Sequence, residues 1–134
     1  MSVLRVTPIL NVSDVGASIE WFEQLGWHRG FTWNEGGSIE GAAAADANGP
    51  AGFGSVCTEE TEMFLCLEGQ GERGTWVSWW VRNVAEVDAI HERALQVGAE
   101  ITYPPTDEPW GIREFHLRHP DGHTFRVSAG LHAE

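Results

Sequence analysis

Residues 108–127 read EPWGIREFHLRHPDGHTFRV, and this stretch carries the strongest structural signal in the 134-residue chain. It predicts a β-hairpin with one strand at Ile112–Arg118, a turn at His119-Pro120-Asp121-Gly122, and a second strand at Thr124–Ser128. Proline presets the φ angle for a turn, and glycine accepts the positive φ that a tight reversal needs. A Pro-x-Gly sequence between two extended runs therefore favours a hairpin.

Length and composition indicate one compact domain spanning residues 1–134. Hydrophobic residues make up 42% of the chain, yet no apolar run is long enough to span a membrane. The first residues lack the apolar core of a signal peptide, so we expect a cytoplasmic protein without a membrane partner. Cys57 and Cys66 are too few for a disulfide framework and are expected to be reduced thiols.

The charge balance is strongly acidic, with 20 Asp and Glu against 8 Lys and Arg and a net charge of −12. Such a field repels nucleic acid and anionic membrane surfaces, so neither is an expected partner. It would favour a cationic ligand, although solubility alone is the simpler explanation. Seven tryptophans are more than a small core needs, which suggests an aromatic-lined cavity.

The chain reads as two similar modules, residues 1–69 and 75–130, joined by a link at Gln70–Gly74. In each module an Asp or Asn stands at the start of an amphipathic helix that a glycine closes. The predicted elements of the first module are a strand at Val3–Val12, a helix to Gln24 after Ser13 or Asp14, strands at Trp27–Trp33 and Glu62–Leu67, and one short strand in the Gly/Ala-rich segment Gly36–Gly54. Those of the second are strands at Thr75–Val81 and Glu100–Tyr103, a helix at Val84–Val97 after Asn83, and the terminal hairpin.

This order predicts an α+β fold of two tandem β-α-β-β-β modules that form a curved mixed sheet around a cavity. One such module leaves the sheet face opposite its helix uncovered. Two modules must therefore bury those faces, within one chain or between chains.

Several segments resemble the vicinal oxygen chelate superfamily of glyoxalases, bleomycin resistance proteins and extradiol dioxygenases. They are VTPILNVSDV at 6–15, IEWF at 19–22, LGW at 25–27, WVSWWVRNV at 76–84, and PWGIREF at 109–115. The resemblance covers nearly the whole chain, except Gly36–Glu62, and looks closest to the bleomycin resistance branch. It implies the paired-module fold and a homodimer, with Pro8 near the hinge where family dimers exchange an N-terminal strand.

In catalytic members of that superfamily, four strands each supply one ligand to a divalent metal. Those positions correspond here to Thr7, Cys66, Trp76 and Arg126. An indole and a guanidinium cannot coordinate a dication, so we expect no metal and no other cofactor. The set argues against glyoxalase-type isomerisation and extradiol ring cleavage, and it leaves enzymatic activity doubtful.

The remaining histidines and possible nucleophiles do not supply a catalytic set. His119 and His123 flank the turn, where exposure is expected, and His28 and His91 are expected at the surface. His116 faces either the cavity or the helix, and a structural role is the more common one. No Gly-x-Ser-x-Gly sequence and no phosphate-binding loop is present, so no catalytic residue is predicted.

Strand alternation, starting from the resemblance, predicts which side chains face the cavity. The residues predicted to contact a ligand are Thr7, Phe64, Cys66, Trp76, Ser78, Trp80, Trp110 and Arg126. Ile9, Glu68, Thr124 and Ser128 share those faces, while Val77, Trp79 and Val81 pack on the helices. The alternative for Trp76 and Trp80 is that both indoles simply fill the core between the modules.

Trp110 lies between Pro109 and Gly111 in a turn-like segment, where periodicity gives no reason for a large apolar side chain. The matching tryptophan lines the drug groove in the resistance proteins that this chain resembles. Arg113 and Glu114 follow on opposite faces of a strand, and each is expected to form an ion pair with a neighbouring strand.

The function favoured by the sequence is metal-independent binding of a bulky aromatic or cationic small molecule in a cleft of a homodimer, as in bleomycin resistance proteins. One alternative is a metal-dependent lyase, isomerase or dioxygenase of the same superfamily with displaced ligands such as Glu62, Glu68 or His116. Another is a binding module for an endogenous metabolite.

Overall fold

The computed structural model describes residues 2–34, 39–40 and 51–134. Two compact units, 1–73 and 74–134, divide the chain. Each unit contains a mixed β-sheet with one helix, as the α+β prediction of two similar modules required. Among the described residues, no helix has both the length and the apolar composition needed to cross a membrane.

The first unit consists of β1 (Ile9–Val12), α1 (Val15–Gln24), β2 (His28–Trp33), β3 (Ile39–Glu40), β4 (Phe53–Cys57) and β5 (Glu62–Leu67). Its strands are ordered β1-β5-β4-β2-β3. β1 and β5 are parallel, and the other pairs are antiparallel. β3 lies in the segment Gly36–Gly54 predicted to hold a short strand, whereas residues 36–38 and 41–50 lie outside the described residues.

Helix α1 begins at Asp14, whose side chain accepts a hydrogen bond of 2.9 Å from the backbone N–H of Ala17. The helix buries Val15, Ile19 and Phe22 against the sheet. Gly54 on β4 allows this close packing, because a Cβ at that position would lie 2.9 Å from Cγ1 of Val15. The small residue is thus part of the helix–sheet contact.

The second unit consists of β6 (Trp76–Trp80), α2 (Val84–Gln96), β7 (Glu100–Asp107), β8 (Ile112–Arg118) and β9 (Thr124–Gly130). Its strands are ordered β6-β9-β8-β7, with β6 and β9 parallel and the others antiparallel. Asn83 caps α2 by accepting a hydrogen bond of 3.0 Å from the N–H of Glu86. Under the helix, Trp79 stacks on Phe125 with 4.4 Å between ring centroids.

The predicted terminal hairpin is present between β8 and β9. The N–H of His119 donates to the carbonyl of His123 at 2.8 Å, and Gly122 adopts a φ of 94°, as the Pro-x-Gly turn requires. The expected exposure of the two histidines is wrong, because His119 is 1% and His123 0% exposed. The Nδ1 atoms of His119 and His123 accept hydrogen bonds from the backbone N–H groups of Asp121 and Thr75, respectively. These bonds offset the cost of removing both polar rings from water.

Three strand predictions also need correction. β1 begins at Ile9, so Val3–Val12 is too long and Thr7 precedes the strand. β4 was not predicted as a separate strand, and β7 extends four residues beyond Tyr103. Pro104 and Pro105 fit within β7 because it is an edge strand and because its register with β8 shifts between Tyr103 and Thr106, where the regular ladder is interrupted.

Candidate functional site

The sheet face of the second unit that lies opposite α2 carries four of the eight predicted binding residues, Trp76, Ser78, Trp80 and Arg126. The register of β6 and β9 pairs Trp76 with Thr124, Ser78 with Arg126, and Trp80 with Ser128. These side chains share one face, because paired residues and every second residue along a strand point the same way. Trp79 points the other way into the helix-covered core, as the alternation predicted.

Two indoles on this face are open to solvent. Trp76 is 63% and Trp80 65% exposed, although tryptophan usually buries most of its surface. Four residues of extended chain place their Cα atoms about 13 Å apart. Trp76, Ser78 and Trp80, all predicted to contact a ligand, thus lie on one edge strand. This strand presents two separate aromatic surfaces to solvent. Within the second unit neither indole is buried, and the alternative that both fill a core between the modules stays a prediction.

Next to the indoles lies a buried carboxylate, Glu114 on β8, whose side chain is 6% exposed. Its Oε2 lies 2.5 Å from Nε of Arg126 on β9 and 3.0 Å from Nε2 of His116. Nη2 of Arg126 donates to Oε1 at 3.5 Å, while Nε forms the close ion pair without a well-aligned hydrogen bond. A carboxylate so enclosed requires a cationic neighbour such as Arg126, since burial of an unpaired charge is costly.

His116 is enclosed by aromatic rings on the same face. Its ring centroid lies 5.3 Å from that of Trp76, edge to face, and 4.8 Å from that of Tyr103. The phenol of Tyr103 donates a hydrogen bond of 2.5 Å to Oε1 of Glu108. That bond to a carboxylate raises the pKa of the Tyr103 phenol above its ordinary value, because ionisation would place two negative charges together.

Trp110 lies in a turn, and Arg113 forms an ion pair with a neighbouring strand, as the sequence indicated. Trp110 is 63% exposed in a turn where Gly111 adopts a φ of 93°. Arg113 points away from Glu114 and forms ion pairs with Asp107 at 2.6 Å and Asp88 at 2.9 Å. The hydrogen bond from Arg113 holds the pKa of the Asp107 carboxyl below its ordinary value. The expected cross-strand ion pairs of Arg113 and Glu114 are therefore both present.

In the first unit, the sheet face opposite α1 carries a cluster of three half-buried phenylalanines. Phe64 on β5 lies 5.3 Å from Phe53 on β4 and 5.8 Å from Phe31 on β2, as measured between ring centroids. Phe31 and Phe53 are 5.9 Å apart and nearly parallel. Of the three, only Phe64 was predicted as a ligand contact.

The registers of the two sheets show how the units correspond. Ile9 and Ser78 each lie five residues before their helix cap, and they pair with Phe64 and Arg126 respectively. Phe64 therefore holds in the first unit the position of Arg126 in the second. Cys66 corresponds to Ser128, two residues farther along the strand.

Two further residues of the first unit, Thr7 and Cys66, were predicted to contact a ligand. Thr7 is half-buried in the segment before β1. The Sγ of Cys66 accepts a hydrogen bond of 3.5 Å from the N–H of Gln70 and lies close to Gly69. Cys66 pairs with Phe53 across β4 and β5, so it lies on the same sheet face as the phenylalanine cluster. The role of Thr7 and Cys66 in binding stays a prediction.

The residues proposed as displaced metal ligands do not form a site within the first unit. Glu62 and Glu68 lie at opposite ends of β5, about 20 Å apart at the rise of an extended chain, so one ion cannot bind both. Glu68 also forms a salt bridge of 2.7 Å with Arg73. Within residues 2–34, 39–40 and 51–134, no three His, Cys, Asp or Glu side chains converge as a metal site would require.

Several residues of the two faces were missed from the sequence. Phe31 lies on the predicted strand β2, but no motif distinguishes it from its neighbours. Phe53 lies on β4, which was not predicted as a strand. Tyr103 lies at the end of the predicted strand, and its hydrogen bond to Glu108, which follows β7, was not predicted. The ion pair between Glu114 and Arg126 could have been found by pairing the predicted strands β8 and β9 around the turn.

Known structures share this fold along nearly the whole chain. TioX from Micromonospora sp. ML1 is 20% identical with a TM-score of 0.70, covering 95% of this chain and 100% of its own. A glyoxalase/bleomycin resistance protein/dioxygenase superfamily member from Sphaerobacter thermophilus DSM 20745 is 23% identical with a TM-score of 0.68, covering 95% and 98%. A bleomycin resistance determinant encoded on the transposon Tn5 is 18% identical with a TM-score of 0.65, covering 96% and 98%.

No curated protein matches the sequence. The family profile of the glyoxalase/bleomycin resistance protein/dioxygenase superfamily, however, matches residues 3–127, which is most of the chain. At the identities of the solved structures, likeness establishes the fold and not a ligand. The chain therefore belongs to the glyoxalase/bleomycin resistance protein/dioxygenase superfamily.

Proposed function

We propose that this protein is a metal-independent small-molecule binding protein, similar to bleomycin resistance proteins, that sequesters a bulky aromatic compound. The observation that carries the proposal is the pair of exposed indoles, Trp76 and Trp80, on one face of β6. Exposed aromatic surface beside a few polar groups is the usual composition of a ligand site. The bleomycin resistance determinant among the structural neighbours is consistent with such a role.

The spacing of the indoles supports a large ligand. With about 13 Å between their Cα atoms, Trp76 and Trp80 cannot both stack on one single-ring compound. A compound with several fused or linked rings would contact both, and each stacked indole would contribute about 1–3 kcal/mol to binding. Trp110, equally exposed on its turn, is proposed as a third aromatic contact.

The proposed assembly is a homodimer whose cleft is completed by a second copy. Each sheet carries aromatic side chains on the face that its own helix leaves uncovered, and a second copy would bury such surface. Light scattering at micromolar concentration tests the assembly. A mass twice that of the 14.8 kDa chain is expected, and a monomer throughout would contradict it.

Metal independence is proposed because Thr7, Cys66, Trp76 and Arg126 offer no set of convergent donors. Elemental analysis after purification without chelator should find no stoichiometric zinc, nickel, iron or manganese. A stoichiometric metal would favour the alternative of an enzyme with displaced ligands.

Tryptophan fluorescence tests the binding function. We would titrate the protein with glycopeptide antibiotics, planar dyes and aromatic metabolites, and compare the wild type with Trp76→Phe and Trp80→Phe. Quenching that is lost mainly in these two variants supports the proposal. Trp21→Phe is the matched control, because Trp21 lies on α1 of the first unit and packs on Phe22. Quenching only by metabolites would favour an endogenous ligand over an antibiotic.

A further inference from the structure

We propose that Arg126 is the main polar contact for a ligand on the sheet face that carries Trp76 and Trp80, called here the indole face. Arg126 would select aromatic ligands that carry an anionic oxygen, such as a carboxylate. This inference rests on the proposed binding function and names the ligand class of the same site. It is carried by three observations on the second sheet: the position of Arg126 between the indoles, the fixed orientation of its guanidinium, and its unused donors.

Arg126 lies between the two exposed indoles. Its strand partner on β6 is Ser78, and Trp76 and Trp80 are the residues two before and two after Ser78. All of these side chains point to the same face of the sheet. A ligand that spans both rings would therefore pass over the guanidinium.

Glu114 fixes the orientation of the Arg126 side chain. The carboxylate engages the Nε edge of the guanidinium, and the Nε atom is itself buried. Nε2 of His116 lies 3.0 Å from the same carboxylate oxygen. A guanidinium held by a buried acid is preorganised, so a ligand loses less side-chain entropy on binding to it.

The edge of the guanidinium that points away from Glu114 carries N–H donors without an acceptor among the described residues. The side chain of Arg126 is 35% exposed, and a guanidinium carries five N–H donors. Its contacts with the described part of the chain are all with Glu114, through Nε and Nη2. The two N–H groups on Nη1 therefore have no acceptor among the described residues, and a carboxylate would accept from this edge.

A cationic ligand fits the face less well. Glu114 is nearly inaccessible and already contacts both Arg126 and His116, so it cannot serve as a counter-ion to a ligand ammonium. The overall charge of −12 acts over distance and is screened within about 8 Å at physiological ionic strength. The contact that a ligand makes on this face is with the guanidinium.

The test uses three probes that share one ring system and differ in charge: naphthoate, naphthamide and naphthylmethylamine. We would measure their affinities by tryptophan quenching at neutral pH, for the full chain. The wild type should bind naphthoate at least about tenfold more tightly than naphthamide, and the protonated amine most weakly.

Two variants test whether Arg126 causes the preference for naphthoate. In the double variant Glu114→Gln/Arg126→Gln, which leaves no buried unpaired charge, naphthoate and naphthamide should bind about equally. Arg118→Gln is the matched control, because Arg118 pairs with Thr124 on the same face but already forms a salt bridge of 3.1 Å with Glu100. This variant should keep the preference for naphthoate.

The inference is overturned if the three probes bind the wild type equally, if the amine binds best, or if the preference survives in the double variant or disappears in Arg118→Gln. Equal binding that depends on Trp76 and Trp80 would leave the proposed function intact and remove only the anion anchor. If none of the probes quenches the wild type, the anion anchor is contradicted, whereas the proposed function is decided by the titration with larger compounds described above.

Discussion

Glu114 and Arg126 form an ion pair across the two central strands of the second sheet, with 2.5 Å between Oε2 and Nε. At the corresponding positions of the first sheet lie Phe53 and Phe64, whose rings are 5.3 Å apart. The two units thus use the same pair of positions for opposite purposes. One sheet presents an apolar aromatic surface on its helix-free face, and the other presents a fixed charge beside exposed indoles.

The ion pair should be strongly coupled in its effect on stability. Glu114→Gln leaves a guanidinium without its counter-ion and should cost about 2–4 kcal/mol, less than a fully buried pair because Arg126 is partly exposed. The double variant Glu114→Gln/Arg126→Gln should lose less than the sum of the single variants, by about 1–3 kcal/mol. Urea denaturation measures the free energy of unfolding of each. Strictly additive losses would show that the two groups do not interact in solution.

Trp79 and Trp110 should differ in what their removal does. Trp79→Ala removes an indole stacked on Phe125 in the core and should cost about 3–5 kcal/mol of stability. Trp110→Ala should change stability by less than about 0.5 kcal/mol and weaken ligand binding by about 1–3 kcal/mol. Thermal unfolding and fluorescence titration of both variants provide the comparison. The reverse pattern would invert our assignment of the sheet faces.

His123 should be a structural residue of the hairpin turn. Its Nδ1 accepts a hydrogen bond of 3.2 Å from the N–H of Thr75, just before β6. His123→Leu replaces the ring with an apolar side chain that cannot accept a hydrogen bond from that N–H. The substitution should therefore lower the free energy of unfolding by about 1–3 kcal/mol. The matched control is His28→Leu, whose side chain is 66% exposed and which should leave the denaturation midpoint unchanged. Equal effects would mean that the hydrogen bond is unimportant.

Tyr103 is the only tyrosine of the chain, so its titration can be followed by ultraviolet difference absorption. The bond to Glu108 should hold its pKa above the ordinary value of 10.0 in the folded protein. Because the folded pKa is raised, this contribution to stability is complete below the ordinary pKa. It is lost as the pH rises through the folded pKa. Glu108→Gln should lower the pKa of Tyr103, and an unchanged titration would exclude the hydrogen bond.

The sequence predicts those parts of the fold that local patterns determine. Asp14 and Asn83 mark the helix starts by their capping side chains, and the turn around Gly122 marks the hairpin. Trp79 and its neighbours on β6 could be assigned to opposite faces because a strand has a period of two. These features depend on residues near one another in the chain.

The features that were missed depend on contacts between distant residues. β4 contains Gly54, a weak strand former, and its small size is explained only by the approach of Val15 on α1. Burial of His123 depends on the N–H of Thr75, which is 48 residues away. The correspondence of Phe64 with Arg126 required the strand registers, which hydrophobic periodicity does not give.

The central claim is that the indole face of β6 binds an aromatic ligand, and the indole N–H resonances of the seven tryptophans test it most directly. Proton–nitrogen correlation spectra of the labelled protein would be recorded during titration with a compound that quenches its fluorescence. Trp76→Phe, Trp80→Phe and Trp79→Phe would assign the relevant signals. We predict saturable shifts of the Trp76 and Trp80 signals while that of buried Trp79 stays in place. Shifts confined to Trp21, Trp27 or Trp33 of the first unit, with Trp76 and Trp80 unmoved, would contradict the account.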